Sequence, residues 1–218
     1  MAADVPHASD LPARIGARAA LAGVDVVPSL ANALAAYIRL LARWNQTINL
    51  TALRVDPPDE DAIDRLLVEP LAAVAALDPH DEFIVDVGSG GGSPALPIKL
   101  AAPACRFLLV ESKARKAAFL REAVRQLRLE GVTVDNRRLD DVAASRLQPR
   151  ADVATMRAVK VEAGVIAALR EILNPRGRVF AFVGAEGDPA FPSASSKFRP
   201  LVPDRGTQLV VVDIEKLR

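Results

Sequence analysis

Asp86, Gly88, Gly90 and Ser93 sit in one short stretch, Asp86-Val-Gly-Ser-Gly-Gly-Gly-Ser93, between an apolar run and Pro94. Glycines there allow positive φ and remove the Cβ that would keep a ligand off the backbone. The first-turn amides of a helix expected over Ala95–Ala102 point outward unpaired. A ligand can therefore touch backbone here. No Gly-Lys-Ser/Thr follows, so a phosphate loop is excluded. As a dinucleotide loop, Gly88-x-Gly90-x-x-Ser93 has serine where the third glycine should be. Asp86 puts a carboxylate beside the loop, which repels a pyrophosphate but suits an ammonium and a sulfonium. Glu111 ends the next expected strand, where a carboxylate accepts hydrogen bonds from both ribose hydroxyls. S-adenosylmethionine carries a ribose and a cationic amino-acid end, and meets these demands better than NAD. The competing reading is a loop that serves only as a tight strand-to-helix turn.

Arg157 ends the fourth expected strand, on the sheet edge where ligands collect in open α/β folds. Asp140 and Asp141 follow the third strand, placed to meet an adenine amino group or to cap a short helix. Lys113, Arg115, Lys116, Arg121, Arg125 and Arg128 share one expected helix with a single acid, Glu122, and Arg137 and Arg138 follow it. Such a run is either a solvated helix face or a surface for nucleic-acid phosphates. Few aromatics accompany this run, so base stacking is not strongly indicated.

These residues need a scaffold, and the chain supplies two kinds of segment. Up to about residue 80 it is rich in Ala and Leu and reads as helical. A helix is expected over Leu11–Ala22, stopped by Gly23. A second, with Ser29 as N-cap, runs to about Trp44 with Leu30, Leu34, Ile38 and Leu41 on one face. An ordered turn over Trp44–Thr51, a loop at Pro57-Pro58-Asp59, and a helical stretch Glu60–Ala76 interrupted at Pro70 complete this part. From Phe83 the pattern becomes strand-helix alternation. Strands are expected at Phe83–Val87, Arg106–Val110, Val132–Asn136, Asp152–Met156 and Arg178–Val183. Helices are expected at Ala95–Ala102, Lys113–Leu129, Asp140–Ser145 and Val161–Leu173, with a turn at Pro175-Arg176-Gly177. Alternation of this kind predicts an α/β fold with a mostly parallel sheet and helices on both faces. A Gly/Pro/Ser-rich tail, Gly184–Arg205, with a strand near Lys197–Val202, precedes a closing strand at Thr207–Ile214, one of the pair antiparallel. Residues 1–80 are thus expected to be a helical N-terminal extension of a domain at 81–218, the two packed as one compact unit.

Composition sets the bounds. With 218 residues, 50% hydrophobic and 25% charged, the chain is of globular type, and its net charge of +1 says little about partners. One cysteine, Cys105, cannot form an internal disulfide and fits a reducing compartment. Met1–Asp10 has neither a basic n-region nor an apolar core, and no apolar run reaches the ~18 residues of a membrane span. A cytoplasmic protein is expected, without membrane or metal, and a monomer.

Trp44-Asn-x-x-Ile-Asn-Leu-Thr51, the Asp86-Val-Gly-Ser-Gly-Gly-Gly loop, Pro94-Ala-Leu-Pro97, Glu111-Ser112 and Met156-Arg157-Ala158 together resemble the glucose-inhibited division protein B family. The similarity runs from about Leu40 to the C-terminus. It implies a Rossmann-like, S-adenosylmethionine-dependent methyltransferase acting on N7 of a guanine in small-subunit (16S) ribosomal RNA. By position, the resemblance puts cofactor contacts on Gly88, Ser93, Glu111, Leu139, Asp140 and Arg157. The partner it implies is small-subunit ribosomal RNA or the ribosomal subunit. Asn45, Asn49 and Arg65 are expected to help hold RNA, with Arg121, Arg125 and Arg128 as a phosphate surface. Arg157 is expected to shape the catalytic pocket. The chain departs from the family where Arg-His-x-x-Asp-Ser becomes Arg65-Leu66-Leu67-Val68-Glu69-Pro70, where Ser93 and Ala95 replace an apolar residue and glycine, and at Met156 and Val183. The rival readings are a methyltransferase for a small molecule or protein, and a homologue that binds cofactor or RNA without turnover. An NAD dehydrogenase ranks last.

Overall fold

The computed structural model describes residues 10–145, 149–184, 196–203 and 206–217, with backbone only at 196–200. The segment before Asp10 and most of the expected Gly/Pro/Ser-rich tail lie outside the described residues. Strands β1 (Phe83–Val87), β2 (Arg106–Val110), β3 (Val132–Asp135), β4 (Ala151–Arg157), β5 (Leu173–Val183), β6 (Ser196–Pro200) and β7 (Gln208–Asp213) form one sheet in the order β3-β2-β1-β4-β5-β7-β6. β1 to β5 pair in parallel, and β7 runs antiparallel to both β5 and β6. β1 lies between β2 and β4, so successive crossovers leave it in opposite directions and a crevice opens at its C-terminal end.

Period-two alternation divides the sheet into two faces. Ile84, Val153 and Phe180 point to one, packed with α1 (Leu11–Leu21), α2 (Pro28–Asn45), α5 (Ala95–Ala101) and α6 (Ala114–Gln126). Val85, Val87, Ala154 and Met156 point to the other, under α7 (Leu139–Ala144) and α8 (Ala163–Ile172). Being covered on both faces, β1 is buried along its whole length. That explains its uninterrupted apolar character apart from Asp86.

The N-terminal helices start as chain chemistry demands, with one correction. Asp10 caps α1, its Oδ1 accepting from the Ala13 amide at 3.2 Å, and Gly23 beyond the helix has φ +71°. α2 begins at Pro28 after Val27, and no side chain caps it; Ser29 lies inside the helix. Proline at the first turn has no N–H to leave unpaired, so it displaces the expected cap. The stretch after Asp59 is short α3 (Glu60–Ile63), a π-turn (Asp64–Val68), α4 (Glu69–Ala73) and a 3-10 turn (Val74–Ala76). The π-turn lets Pro70 enter in the first turn of α4, so the proline does not break the segment. Arg18 of α1 clamps this segment, with Nε 2.8 Å from Oδ1 and Nη2 2.5 Å from Oδ2 of fully buried Asp64.

A second correction concerns β5, which begins at Leu173 rather than Arg178. Leu173 pairs with Ala151 and Arg178 with Val153. The expected turn at Pro175–Gly177 is therefore an irregularity within the strand, forced by buried Leu173 joining the sheet directly from α8. No helix among the described residues is long and apolar enough to cross a membrane.

Candidate cofactor and substrate cleft

The loop after β1 is held from three sides. Gly88 and Ser89 donate their amides to the Val110 carbonyl at 2.9 and 3.1 Å, tying the loop to the end of β2. Gly88, Gly90 and Gly92 have φ of +69°, +51° and +87°. At Gly92 a Cβ would lie 2.5 Å from Leu96 Cδ1, so both conformation and space demand glycine. From α2, fully buried Tyr37 donates its hydroxyl to the Gly91 carbonyl at 2.6 Å. At the end of β2, buried Glu111 accepts from the Gly90 amide through Oε2 at 2.9 Å and from the Lys113 amide through Oε1 at 2.7 Å.

Beneath this loop lies a buried polar group on the sheet face of Ile84. Asp86 accepts from Thr155 Oγ1 through Oδ1 at 2.6 Å, while Oδ2 is shut off from solvent with no partner among the described residues. Burial pushes its carboxyl up to about 6, helped by Glu111 and opposed by Thr155, Ser89 and Arg157. Arg157, at the end of β4, donates through Nη1 to Glu69 Oε2 at 2.8 Å and stacks over Phe182, 4.5 Å from its ring centre. Its Nε and Nη2 are also enclosed without partners among the described residues. Burial lowers the guanidinium pKa and Glu69 opposes the shift. Thr207 Oγ1 donates to the other Glu69 oxygen at 2.7 Å.

Beside the loop opens a cleft of about 430 Å³, lined among others by Thr51, Arg65, Leu66, Gly90, Lys116 and Arg157. Asn45 shapes its wall: Oδ1 accepts from the Leu50 and Thr51 amides at 2.9 and 3.0 Å, and Nδ2 donates to the Thr51 carbonyl at 3.1 Å. That turn sits so close over the loop that a Cβ on Gly91 would lie 3.3 Å from the Leu50 carbonyl oxygen. Ser93 donates its hydroxyl to the Leu66 carbonyl at 3.0 Å, joining the loop to the π-turn.

The fold thus brings Asp86, Gly88, Gly90, Ser93, Glu111 and Arg157 around one crevice. Leu139 and Asp140 stand farther along the same sheet edge, at the start of α7, with Asp140 exposed 4.0 Å from Arg138. Arg138 occupies the N-cap position without a side-chain cap, so neither Asp140 nor Asp141 caps this helix. Asn49 and Arg65 are exposed, as are Arg121 and Arg125 along α6; Arg125 pairs with Glu122 at 2.7 Å. Arg128 is exposed too but lies beyond α6, which ends at Gln126 rather than at the expected Leu129; Arg128 itself has a left-handed φ of +53°. Of the departing positions, Met156 is buried on the α8 face, away from Arg157, and Val183 ends β5 against that same cluster. Leu66 lines the cleft. Sequence reasoning missed Tyr37, Thr155, Glu69 and Thr207. For Tyr37 the signal was a sole tyrosine on an apolar helix face, since a buried hydroxyl needs a partner. Among the described residues, no group of three or more His, Cys, Asp or Glu side chains could hold a metal ion.

Comparison with known proteins bears on this geometry. Residues 30–191 match the family model "GidB: rRNA small subunit methyltransferase G". The protein named ribosomal RNA small subunit methyltransferase G of Stenotrophomonas maltophilia (strain K279a) is 36% identical over 179 residues, covering 80% of this chain and 79% of that one. The protein of that name from Neisseria meningitidis (strain Z2491) is 36% identical over 174 residues, 78% of this chain and 79% of its own. Among solved structures, an O-methyltransferase family protein from Burkholderia thailandensis superposes with a TM-score of 0.52 at 16% identity, covering 70% of this chain and 57% of that chain. A putative methyltransferase, yhhF, from Escherichia coli gives 0.51 at 15% identity, over 66% and 86%. At those identities the structures speak for a shared methyltransferase-type Rossmann-like fold. The family match, covering most of the chain with the glycine loop inside it, carries the assignment: this chain belongs to the rRNA small subunit methyltransferase G family.

Proposed function

We propose that the chain transfers a methyl group from S-adenosylmethionine to N7 of a guanine in small-subunit (16S) ribosomal RNA. The carrying observation is the enclosed Asp86 carboxylate, with one oxygen unpartnered, beneath a positive-φ glycine loop at the sheet's switch point. A buried acceptor without a partner is costly unless a ligand supplies the donor. The ammonium of the cofactor's amino-acid end does so. Glu111 keeps one lone pair on each oxygen for the ribose hydroxyls after its bonds to Gly90 and Lys113. Leu139 and Asp140, farther along the edge, serve the adenine end. The residues fit the group.

S-adenosylmethionine supplies a methyl carbon made electrophilic by its sulfonium. Guanine N7 attacks with a lone pair that carries no proton, so the protein needs no general base. What its residues contribute is alignment and exclusion of water. The wall built by Asn45, Leu50 and Thr51 closes one side of the cleft, and Arg157 forms part of the floor. Arg65 and Lys116 line it with positive charge for RNA, extended by Asn49, by Arg121 and Arg125 on α6, and by Arg128 just past its end. The buried lone cysteine supports a cytoplasmic setting. A monomer is supported by Leu21 and Val27 being the large apolar side chains left exposed among the described residues.

Labelled methyl transfer tests this reading, with 16S RNA and small subunits from cells lacking the modification both offered. Borohydride/aniline treatment then cuts the RNA at N7-methylguanine. Label on RNA cut at one guanine is expected; cofactor binding without label on either substrate would sink the assignment.

A further inference from the structure

We infer that Glu69 is a positioning residue for methyl transfer, acting through Arg157, and that Thr207 fixes Glu69 in turn. The inference rests on the methyltransferase reading for its activity readouts, and its geometry stands apart from it. Glu69 is 1% exposed, and, unlike Asp86, it has both oxygens taken by protein donors, so no unpartnered oxygen on it is left for substrate or cofactor. Its two oxygens take one donor each, Arg157 Nη1 at 2.8 Å and Thr207 Oγ1 at 2.7 Å. An enclosed carboxylate with a cation on one side and a hydroxyl on the other is held at a single orientation.

Arg157 has the complementary arrangement. Phe182 covers one face of its guanidinium and Glu69 pins Nη1, which together leave the plane little freedom. Nε and Nη2 stay enclosed with no acceptor among the described residues, while the residue lines the cleft. Donors buried in this state are a poised site for an acceptor: a carboxylate or a base-edge oxygen or nitrogen. Their aim is set by the Glu69 bond. The π-turn explains why Glu69 can serve. Arg65 and Leu66 within it face the cleft, and Glu69, immediately after it, is turned inward behind Arg157. Thr207 leads into β7, so the C-terminal strand pair braces the pocket.

Glu69→Gln tests the idea, because glutamine keeps the acceptor for Thr207 and turns an amide donor toward Nη1, where a carboxylate had been. We expect a folded protein whose S-adenosylmethionine Kd or kcat/KM on small subunits is worse by about tenfold or more. In an Arg157→Ala background the same change should add nothing, since Glu69 acts through that arginine. Thr207→Val should give a smaller loss in the same parameter, and Thr207→Ser should restore it. A folded Glu69→Gln protein with wild-type Kd and kcat/KM overturns the inference. So do fully additive losses in the double variant. If wild type itself neither binds nor transfers, the functional reading has failed, and the Arg157 Nε–H NMR resonance decides the positioning claim separately. It should be sharp and slow to exchange in wild type and shifted or broadened in Glu69→Gln; an unchanged resonance overturns the claim.

Discussion

The hydroxyl of Tyr37, in the middle of α2, reaches the carbonyl of Gly91 in the glycine loop at 2.6 Å. The N-terminal helices are thereby part of the glycine loop's construction, since their one buried hydroxyl fixes a loop that would otherwise hang from β1 and β2 alone. Burial raises the Tyr37 pKa far above its ordinary value, so the phenol stays a donor at any working pH. Tyr37→Phe leaves the Gly91 carbonyl without this donor at the same packing volume. The expected loss is about 1 kcal/mol of stability in chemical denaturation. A several-fold rise in S-adenosylmethionine Kd by calorimetry should accompany it. Unchanged affinity would mean that the loop is held well enough without α2.

Glycine positions in this chain separate into two kinds that substitution should distinguish. Gly92 has φ +87°, and a Cβ there would meet Leu96 Cδ1 at 2.5 Å and Cγ at 2.9 Å. Gly16, inside α1, would meet nothing within 4 Å. Gly92→Ala should destabilise by more than about 2 kcal/mol, through both strain and clash. Gly16→Ala should stabilise by up to about 1 kcal/mol through helix propensity. Thermal melts of the two variants should move in opposite directions.

Local chemistry made the centre of the site legible from sequence. Phe83–Val87 emptying through glycines into Ala95 has few other structural solutions, and an acid ending the next strand completes the pattern. Ser29 does not cap α2 because Pro28, one residue earlier, is itself a strong first-turn residue. The start of β5 is masked in the sequence because Pro175 and Gly177 signal a turn, whereas Leu173 is already paired to β4. What no local pattern carries is the brace behind Arg157. Glu69 stands 88 residues before Arg157 and 138 before Thr207, so their meeting exists only once the sheet has formed.

Arg121 and Arg125 on α6, and Arg128 in the left-handed turn just past its end, are exposed, and Arg125 is engaged with Glu122 on the surface. Removing such charges should barely affect folding, because exposed pairs contribute little. Replacing all three with Gln should weaken binding to small-subunit RNA. The slope of log K against log salt should become shallower by about 2 if the stripe touches phosphates. S-adenosylmethionine affinity should not change. A variant with the wild-type salt slope would reduce the stripe to a solvated face.

Asp86 sets stability against function. In the folded protein its carboxyl titrates near 6 because burial disfavours the charged form, against an ordinary value of 3.8. The folded state therefore keeps a proton that the unfolded chain has already lost. Its stabilising contribution is complete below about pH 4 and is lost as pH rises through about 6. At neutral pH the protein carries a buried carboxylate at a cost of up to about 3 kcal/mol. Asp86→Asn can still accept from Thr155 and carries no charge. Denaturation at pH 7.5 should find it more stable than wild type, with the difference shrinking toward pH 4. Cofactor binding should run the other way. Wild-type affinity should strengthen as pH rises through 6 and the carboxylate ionises to meet an ammonium, whereas Asp86→Asn should bind weakly with no such step. Equal affinity of the two proteins at pH 7.5 would remove Asp86 from the cofactor site and leave its burial without a functional reason.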